Sequence, residues 1–221
     1  MSKEATGAPR QRLTAEARRE VIAATATELF AERGYRGTSM GEIARQSGIT
    51  PPVVYEHFPS KVDLYRELLE RHFAELRQVW RRHLAGPEPL AERIARSCDA
   101  WFAYVEAHPF AGRVLFRDGV GDPEIEPVHR QVAEGSKAAV MQLFVAEPGA
   151  ENVAPPDDPE GLEMAWVVLR GVLQGLAIWW SEHPAVPRER VVLTAMNALW
   201  IGLERAHRGE VWQAPSKRPG G

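Results

Sequence analysis

The chain has 221 residues, of which 44% are hydrophobic and 26% charged, with a formal net charge of −3. That suits one small and one larger domain, or a single extended helical unit, with a sizeable core. A lone cysteine, Cys98, excludes an intrachain disulfide and argues against a thiolate metal site. No apolar run near the N-terminus resembles a signal peptide, and the most apolar segment, Met164 to Trp180, is interrupted by Arg170 and Gln174. A soluble, cytoplasmic protein with no membrane partner is therefore expected.

Residues 1–12 read as a flexible arm carrying Arg10 and Arg12 and continuing into Arg18 and Arg19. It is either a route to DNA phosphates or a plain solubilising tail. Ile22, Ala26, Leu29 and Phe30 then give the apolar spacing of an amphipathic first helix. Ser39 with Glu42 three residues on is a capping box, so a helix is expected to start at Met40. Gly48 fits a left-handed turn. Thr50 is placed as the N-cap of a third helix, with Pro51 at its first position, and Pro59 prevents continuation past about His57. Val54 and Phe58 lie four apart and face the core, leaving Thr50, Pro51, Val53, Tyr55 and Glu56 outward or sideways. Two short helices joined by a tight turn over 39–58 are the layout of a helix-turn-helix. Ser60 is the expected N-cap of the next helix. That puts the Lys61 cation in a first turn, where it opposes the helix dipole unless an anion such as a DNA phosphate sits nearby. The alternative for Lys61 is a solvated surface lysine.

Beyond Phe58 the chain reads as successive helices, with no period-two alternation to suggest strands. Helix four is expected over 61–84, helix five over 90–107 and helix six from His108-Pro109 to Phe116. Asp122-Pro123 is expected to start helix seven, fading near Ala146. Glu147 to Pro159 reads as a loop, Asp158-Pro159 as the start of helix eight to about Glu182, and Pro187 as the start of helix nine to about His207. The tail 208–221 reads as mobile. Residues 1–85 carry 14 Lys and Arg against 11 Asp and Glu, and residues 86–221 carry 13 against 19. The part with the helix-turn-helix is thus the positive one, as a footprint on phosphates requires.

Gly34-Tyr35-Arg36-Gly37-Thr38-Ser39, followed by the two helices and Val54-Tyr55-Glu56-His57-Phe58-Pro59-Ser60-Lys61 with Leu64-Tyr65, resembles the tetracycline-repressor-like (TetR) family of bacterial transcriptional regulators. The resemblance covers roughly residues 16 to 76. It departs at Pro51-Pro52, where the family often has a polar residue and a glycine, so an operator sequence cannot be carried over. The resemblance implies an all-α fold of about nine helices. A helix-turn-helix DNA-binding domain would span 16–76 and an effector-binding and dimerisation domain 77–207. It also implies DNA contacts from Thr38, Ser39, Thr50, Pro51, Pro52, Val53, Tyr55, Glu56, His57 and Lys61.

The last two helices are apolar on more than one face, with Gly171 and Gly175 permitting close approach. The resemblance implies a homodimer through Val168, Val172, Gly175, Trp179, Met196, Leu199, Trp200 and Leu203; a purely intrachain core is the alternative. Large side chains in the middle of the chain are either plain core or the lining of an effector pocket. The candidates are Trp80, Trp101, Tyr104, Val105, Phe116, Met141, Phe144, Trp166 and Gln174, with Arg113, His129 and Arg130 as polar neighbours. No phosphate loop, nucleophile elbow or His-Glu-x-x-His is present, and the seven histidines form no i, i+4 pair. The expectation is a ligand-responsive repressor that binds a palindromic double-stranded DNA operator and is released by a small-molecule effector through a tilt of helix four. It would not be an enzyme and would need no cofactor or metal. The alternative is a helical dimer serving as a protein-interaction or scaffold module without operator binding.

Overall fold

The computed structural model describes residues 13–116, 122–145 and 158–210. The arm 1–12, most of the 147–159 loop and the tail from 211 on lie outside the described residues. Nine helices and no strand occur among the described residues: α1 Ala15–Arg33, α2 Met40–Ser47, α3 Pro51–His57, α4 Lys61–Leu84, α5 Leu90–Ala107, α6 Pro109–Phe116, α7 Glu126–Val145, α8 Pro159–Glu182 and α9 Arg188–His207. The protein is all-α, with a helix-turn-helix unit followed by a second helical unit. The two units divide between Leu68 and Leu69. The division falls inside α4, ahead of residue 76 where the sequence suggested it, and α4 contributes its first two turns to unit one.

Unit one closes around α1. Ile22, Ala23, Ala26, Leu29 and Phe30 are buried along one face of that helix, against Met40, Ile43, Ala44, Val54, Phe58, Leu64 and Tyr65. Phe30 meets Tyr65 edge-on at 5.1 Å, and Tyr35 meets Tyr65 at 5.2 Å. Such ring pairs add about 0.5–1.5 kcal/mol each beyond the area they bury. Helix ends follow their local chemistry. Thr14 Oγ1 accepts from Ala17 N at the start of α1, and Gly34, at φ 72°, closes its end on Phe30 O.

In unit two, α5 packs on α9, and α8 packs on both α6 and α9. Phe102 of α5 is fully buried between Trp101, at 4.9 Å, and Trp180 of α8, at 5.9 Å. The Trp180 indole N–H donates to Val186 O at 2.8 Å, which fixes the α8–α9 turn. Arg188, the first residue of α9, donates to Asp99 (2.9 Å) and Glu106 (2.6 Å) on α5. Arg93 is buried and donates to Leu84 O and Glu88 O. It thereby caps the last turn of α4, whose carbonyls have no intrahelical partner.

One sequence expectation fails here. Pro123 does not start α7: Asp122 Oδ1 accepts from Glu124 N at 3.0 Å, holding residues 122–125 in a turn, and regular helix begins at Glu126. In addition, Glu160–Glu182 is long and apolar enough by length and composition to cross a membrane, with a mean hydropathy of 1.3. Arg170 and Gln174 do not lower that average enough to exclude it.

Candidate nucleic-acid interface

The helix-turn-helix is set by three local devices. Ser39 Oγ accepts from Glu42 N at 3.2 Å. The Glu42 carboxylate turns away from the cap to pair with Arg33 and, at 3.6 Å, with Arg45, so only half of the expected capping box is made. Gly48 takes the left-handed conformation at φ 68°, its N–H reaching the carbonyls of Ala44 and Arg45. Thr50 then sits at the N-cap of α3 in an extended conformation without a side-chain cap bond, contrary to the role its residue type suggests. Its backbone carbonyl still closes the first turn, accepting from Val54 N at 3.1 Å.

Val54 and Phe58 are buried to 0% and 1% exposure, so the opposite side of α3 is presented outward. Pro51, Pro52, Tyr55 and Glu56 are exposed, as is Thr50; Val53 and His57 are half-buried. Half of the Tyr55 surface is accessible (50%), unusual for so large a ring in a unit this well packed. The proline pair changes the start of the helix. Of the four N–H groups that a helix start leaves without an intrahelical partner, those of Pro51 and Pro52 are absent, and only those of Thr50 and Val53 remain.

Two residues expected at DNA are committed inside the unit instead. Thr38 is 2% exposed. Its hydroxyl lies 3.2 Å from Leu29 O and 3.0 Å from Gly34 O, its N–H reaches Tyr35 O, and its carbonyl accepts from Lys61. All its polar groups are engaged within the fold, so its assignment as a DNA contact is withdrawn. Lys61 is neither bound mainly to solvent nor held in wait for a phosphate. Its Nζ donates to Tyr35 O at 3.0 Å and Thr38 O at 3.1 Å and stands 4.0 Å above the Tyr35 ring. The dipole penalty at the start of α4 is offset from within: Ser60 Oγ accepts from Asp63 N and donates to the Asp63 carboxylate, which places an anion in the same turn.

Arg19 departs from expectation in the same way. It lies within α1, pairs with Glu67 and donates to His57 O at 2.7 Å, and is not part of a free basic arm. Nothing in the residue type distinguishes such a staple from a phosphate contact; only the position of Glu67 one helix away does. Its neighbour in the expected basic stretch, Arg18, is half-buried.

The candidate effector residues all belong to unit two. Trp80, Trp101 and Val105 are buried, and Met141, Trp166 and Gln174 are half-buried. The side chains of Phe116, Phe144 and Arg113, like that of Leu203 on the expected dimer face, lie outside the described residues. Tyr104 is already engaged: its hydroxyl donates to Glu75 at 2.6 Å and lies 2.6 Å from His72 Nδ1, and its ring stacks on His108 at 4.2 Å. Burial and the Glu75 carboxylate together hold the Tyr104 phenol well above its usual range. Burial lowers His72, against the opposing pull of Glu75. His129 is pushed down to about 4 by burial, so it is neutral at pH 7.

On α8 the large apolar side chains Met164, Val167, Val168 and Trp179 are exposed, as are Leu193 and Ile201 on α9. Of the expected dimer residues, Val168 (60% exposed), Gly175 and Trp179 are open, while Val172, Met196, Leu199 and Trp200 are half-buried.

Comparison with known proteins agrees with this geometry. The family described as bacterial regulatory proteins, tetR family, matches residues 22–68. The HTH-type transcriptional activator FasR of Mycolicibacterium smegmatis is 32% identical over 141 residues, covering 63% of this chain and 64% of FasR. The HTH-type transcriptional regulator EthR of the same organism is 27% identical over 189 residues, covering 83% of this chain and 84% of EthR. Among solved structures, a TetR-like transcriptional regulator from Rhodococcus sp. RHA1 superposes with a TM-score of 0.69 at 18% identity, covering 87% of this chain and 99% of that one. A tetR-family regulator from Streptomyces coelicolor does so with a TM-score of 0.62 at 23% identity, covering 94% of both. With the helix-turn-helix, the residues matched and the fold in agreement, residues 22–68 carry the DNA-binding region of the tetR family of bacterial regulatory proteins, within a chain that shares the fold of tetR-family structures.

Proposed function

We propose that this chain is a DNA-binding transcriptional regulator that acts as a homodimer on a palindromic operator and is released by a small-molecule effector bound in unit two. The observation that carries the reading is the outward face of α3: Thr50, Tyr55 and Glu56 stand exposed on a helix whose other side is locked into the core by Val54 and Phe58. A short, rigidly seated helix of this kind fits the major groove. The exposed apolar stripe on α8 and α9 supports the homodimer, since isolated soluble chains rarely leave so many large apolar groups together at the surface. A bilayer suits α8 less well than a second copy does, because Arg170 sits near the middle of the segment and would cost about 2.5–3.5 kcal/mol at a bilayer centre.

The family relationship supports repression on displacement by an effector, with α4 as the element shared by both units. Activation is the second reading, favoured by the name of FasR. A mobility-shift assay on the DNA upstream of the chain's own coding sequence, at stated salt, tests binding, and small molecules can be screened for release of the shifted band. A reporter fused to the same DNA separates the modes: repression predicts higher expression when the gene is deleted, activation lower. No shift beyond that of unrelated DNA would leave the scaffold reading in its place.

A further inference from the structure

We propose that Arg19 is the positioning residue of the α3 recognition helix, and that it couples the carbonyl end of that helix to α4 through Glu67. The inference rests on the reading of α3 as the DNA-contacting helix. His57 is the last residue of α3, and its carbonyl is one of those left without an intrahelical partner. Arg19 Nη1 fills that vacancy at 2.7 Å. The same guanidinium meets the Glu67 carboxylate on α4 with two parallel bonds, Nε to Oε1 at 3.2 Å and Nη2 to Oε2. Its carbon stands 4.3 Å above the ring of Phe58, which is itself fully buried. Carbonyl, carboxylate and ring together fix the planar group in position and in tilt. That geometry needs a guanidinium, because a single ammonium cannot reach the carbonyl while forming a fork with the carboxylate. An isolated surface ion pair would contribute little. This one is part-shielded, bidentate and closes a helix end.

A displacement of the second turn of α4, where Glu67 sits, therefore carries the end of α3 with it. The charge of Arg19 is used within the unit, so it adds nothing to the count of phosphate contacts.

The test uses Arg19→Met, Arg19→Lys, Glu67→Gln, Glu67→Met and the double variant Arg19→Met/Glu67→Met in the full chain, with thermal melts confirming that each folds. Hydrogen exchange of the free proteins is read first: the amides of residues 55–58 should exchange faster in every variant, with residues 22–30 of α1 unaffected. Affinity for a duplex the wild type selects is then measured across a salt series. Each single variant should lose about tenfold, the scale of a hydrogen bond to a charged group, and the double should be no worse than either methionine variant. The slope of log K against log salt should stay at the wild-type value. A slope reduced by about 1 in Arg19→Met, with Glu67→Met binding as tightly as wild type or tighter, would make Arg19 a phosphate contact and overturn the proposal. Unchanged exchange at residues 55–58 in folded variants would overturn it as well. If the wild type selects no duplex, the DNA-binding reading fails, and the exchange arm still decides whether Arg19 positions α3.

Discussion

Lys61 shows how one residue type serves two different ends. Read along the chain, a lysine in the first turn of a helix next to a helix-turn-helix points to a phosphate. In the folded unit two of its three donors hold the carbonyls of Tyr35 and Thr38, and its charge rests on the Tyr35 ring. Lys61→Met should therefore destabilise unit one by about 1–3 kcal/mol, because Thr38 O loses the Lys61 ammonium and Tyr35 O keeps the longer bond from Thr38 N at 3.4 Å, while the salt dependence of DNA binding stays the same. Chemical denaturation and a salt titration on one sample check both halves, and a flattened salt slope with unchanged stability would restore the phosphate role. Thr50→Ala and Tyr55→Phe should behave in the opposite sense. Thr50 makes no cap bond and Tyr55 is half exposed, so both variants should melt within about 2 °C of wild type, as surface changes usually do. Both should bind DNA more weakly.

At the scale of elements, nearly every helix was legible because prolines, glycines and caps mark the boundaries in this chain. Met40, Pro51, Lys61, Leu90, Pro109 and Pro159 start helices where those signals put them. Asp122-Pro123 was misread because an aspartate ahead of a proline serves an Asx-turn as readily as a helix cap, and the following residues decide. The core side of α3 was legible from the Val54–Phe58 spacing. The commitments of Arg19, Thr38 and Lys61 were not, since their partners lie 23 or more residues away for the first and last and include backbone carbonyls, which any residue type supplies, for all three.

The α1–α2 connection offers a sharp steric test. A Cβ on Gly37 would lie 2.3 Å from Arg33 O, a backbone atom, whereas one on Gly48 would meet nothing within 4 Å. Gly48→Ala should cost about 1–2 kcal/mol, the penalty for its left-handed backbone alone. Gly37→Ala should cost more and should loosen the end of α1. Equal melting temperatures for the two variants would contradict this.

Elements of unit two also predict an acid response. His129 on α7 is pushed down to about 4, and His72 on α4 is lowered, both chiefly by burial. A folded-state value below the unfolded one, near 6.5, means that the unfolded chain binds more protons between the two. Stability is thus fully present above about pH 6.5 and falls as the pH drops toward about 4. Thermal midpoints should decline over that window, and His129→Gln should flatten the decline; an unaltered profile in that variant would place the acid sensitivity elsewhere.

At the scale of the whole molecule, the second copy is the largest element of the account that a single chain does not contain. Val168 is 60% exposed, so Val168→Glu adds a charge to the outer face of α8 without disturbing the chain's own core. It should convert a dimer into monomers in sedimentation velocity at low micromolar concentration, with helix content unchanged. An interface of the usual ~1,600 Å² keeps only a small surplus of its apolar gain once the lost freedom of association is met, so one buried carboxylate can tip the balance to monomers. A wild-type monomer at that concentration would remove the dimer from the account.

Whether two copies of the α3 face read DNA sequence is decided by selecting binding sites from a random pool of duplexes with the wild-type chain. Two reading heads in a symmetric dimer should enrich an inverted repeat whose half-sites lie about one helical turn apart, roughly 34–36 Å, or somewhat more. Tyr55→Phe should select the same repeat with lower affinity. A pool left unenriched after repeated rounds, or a single half-site without symmetry, would contradict reading by two copies of α3.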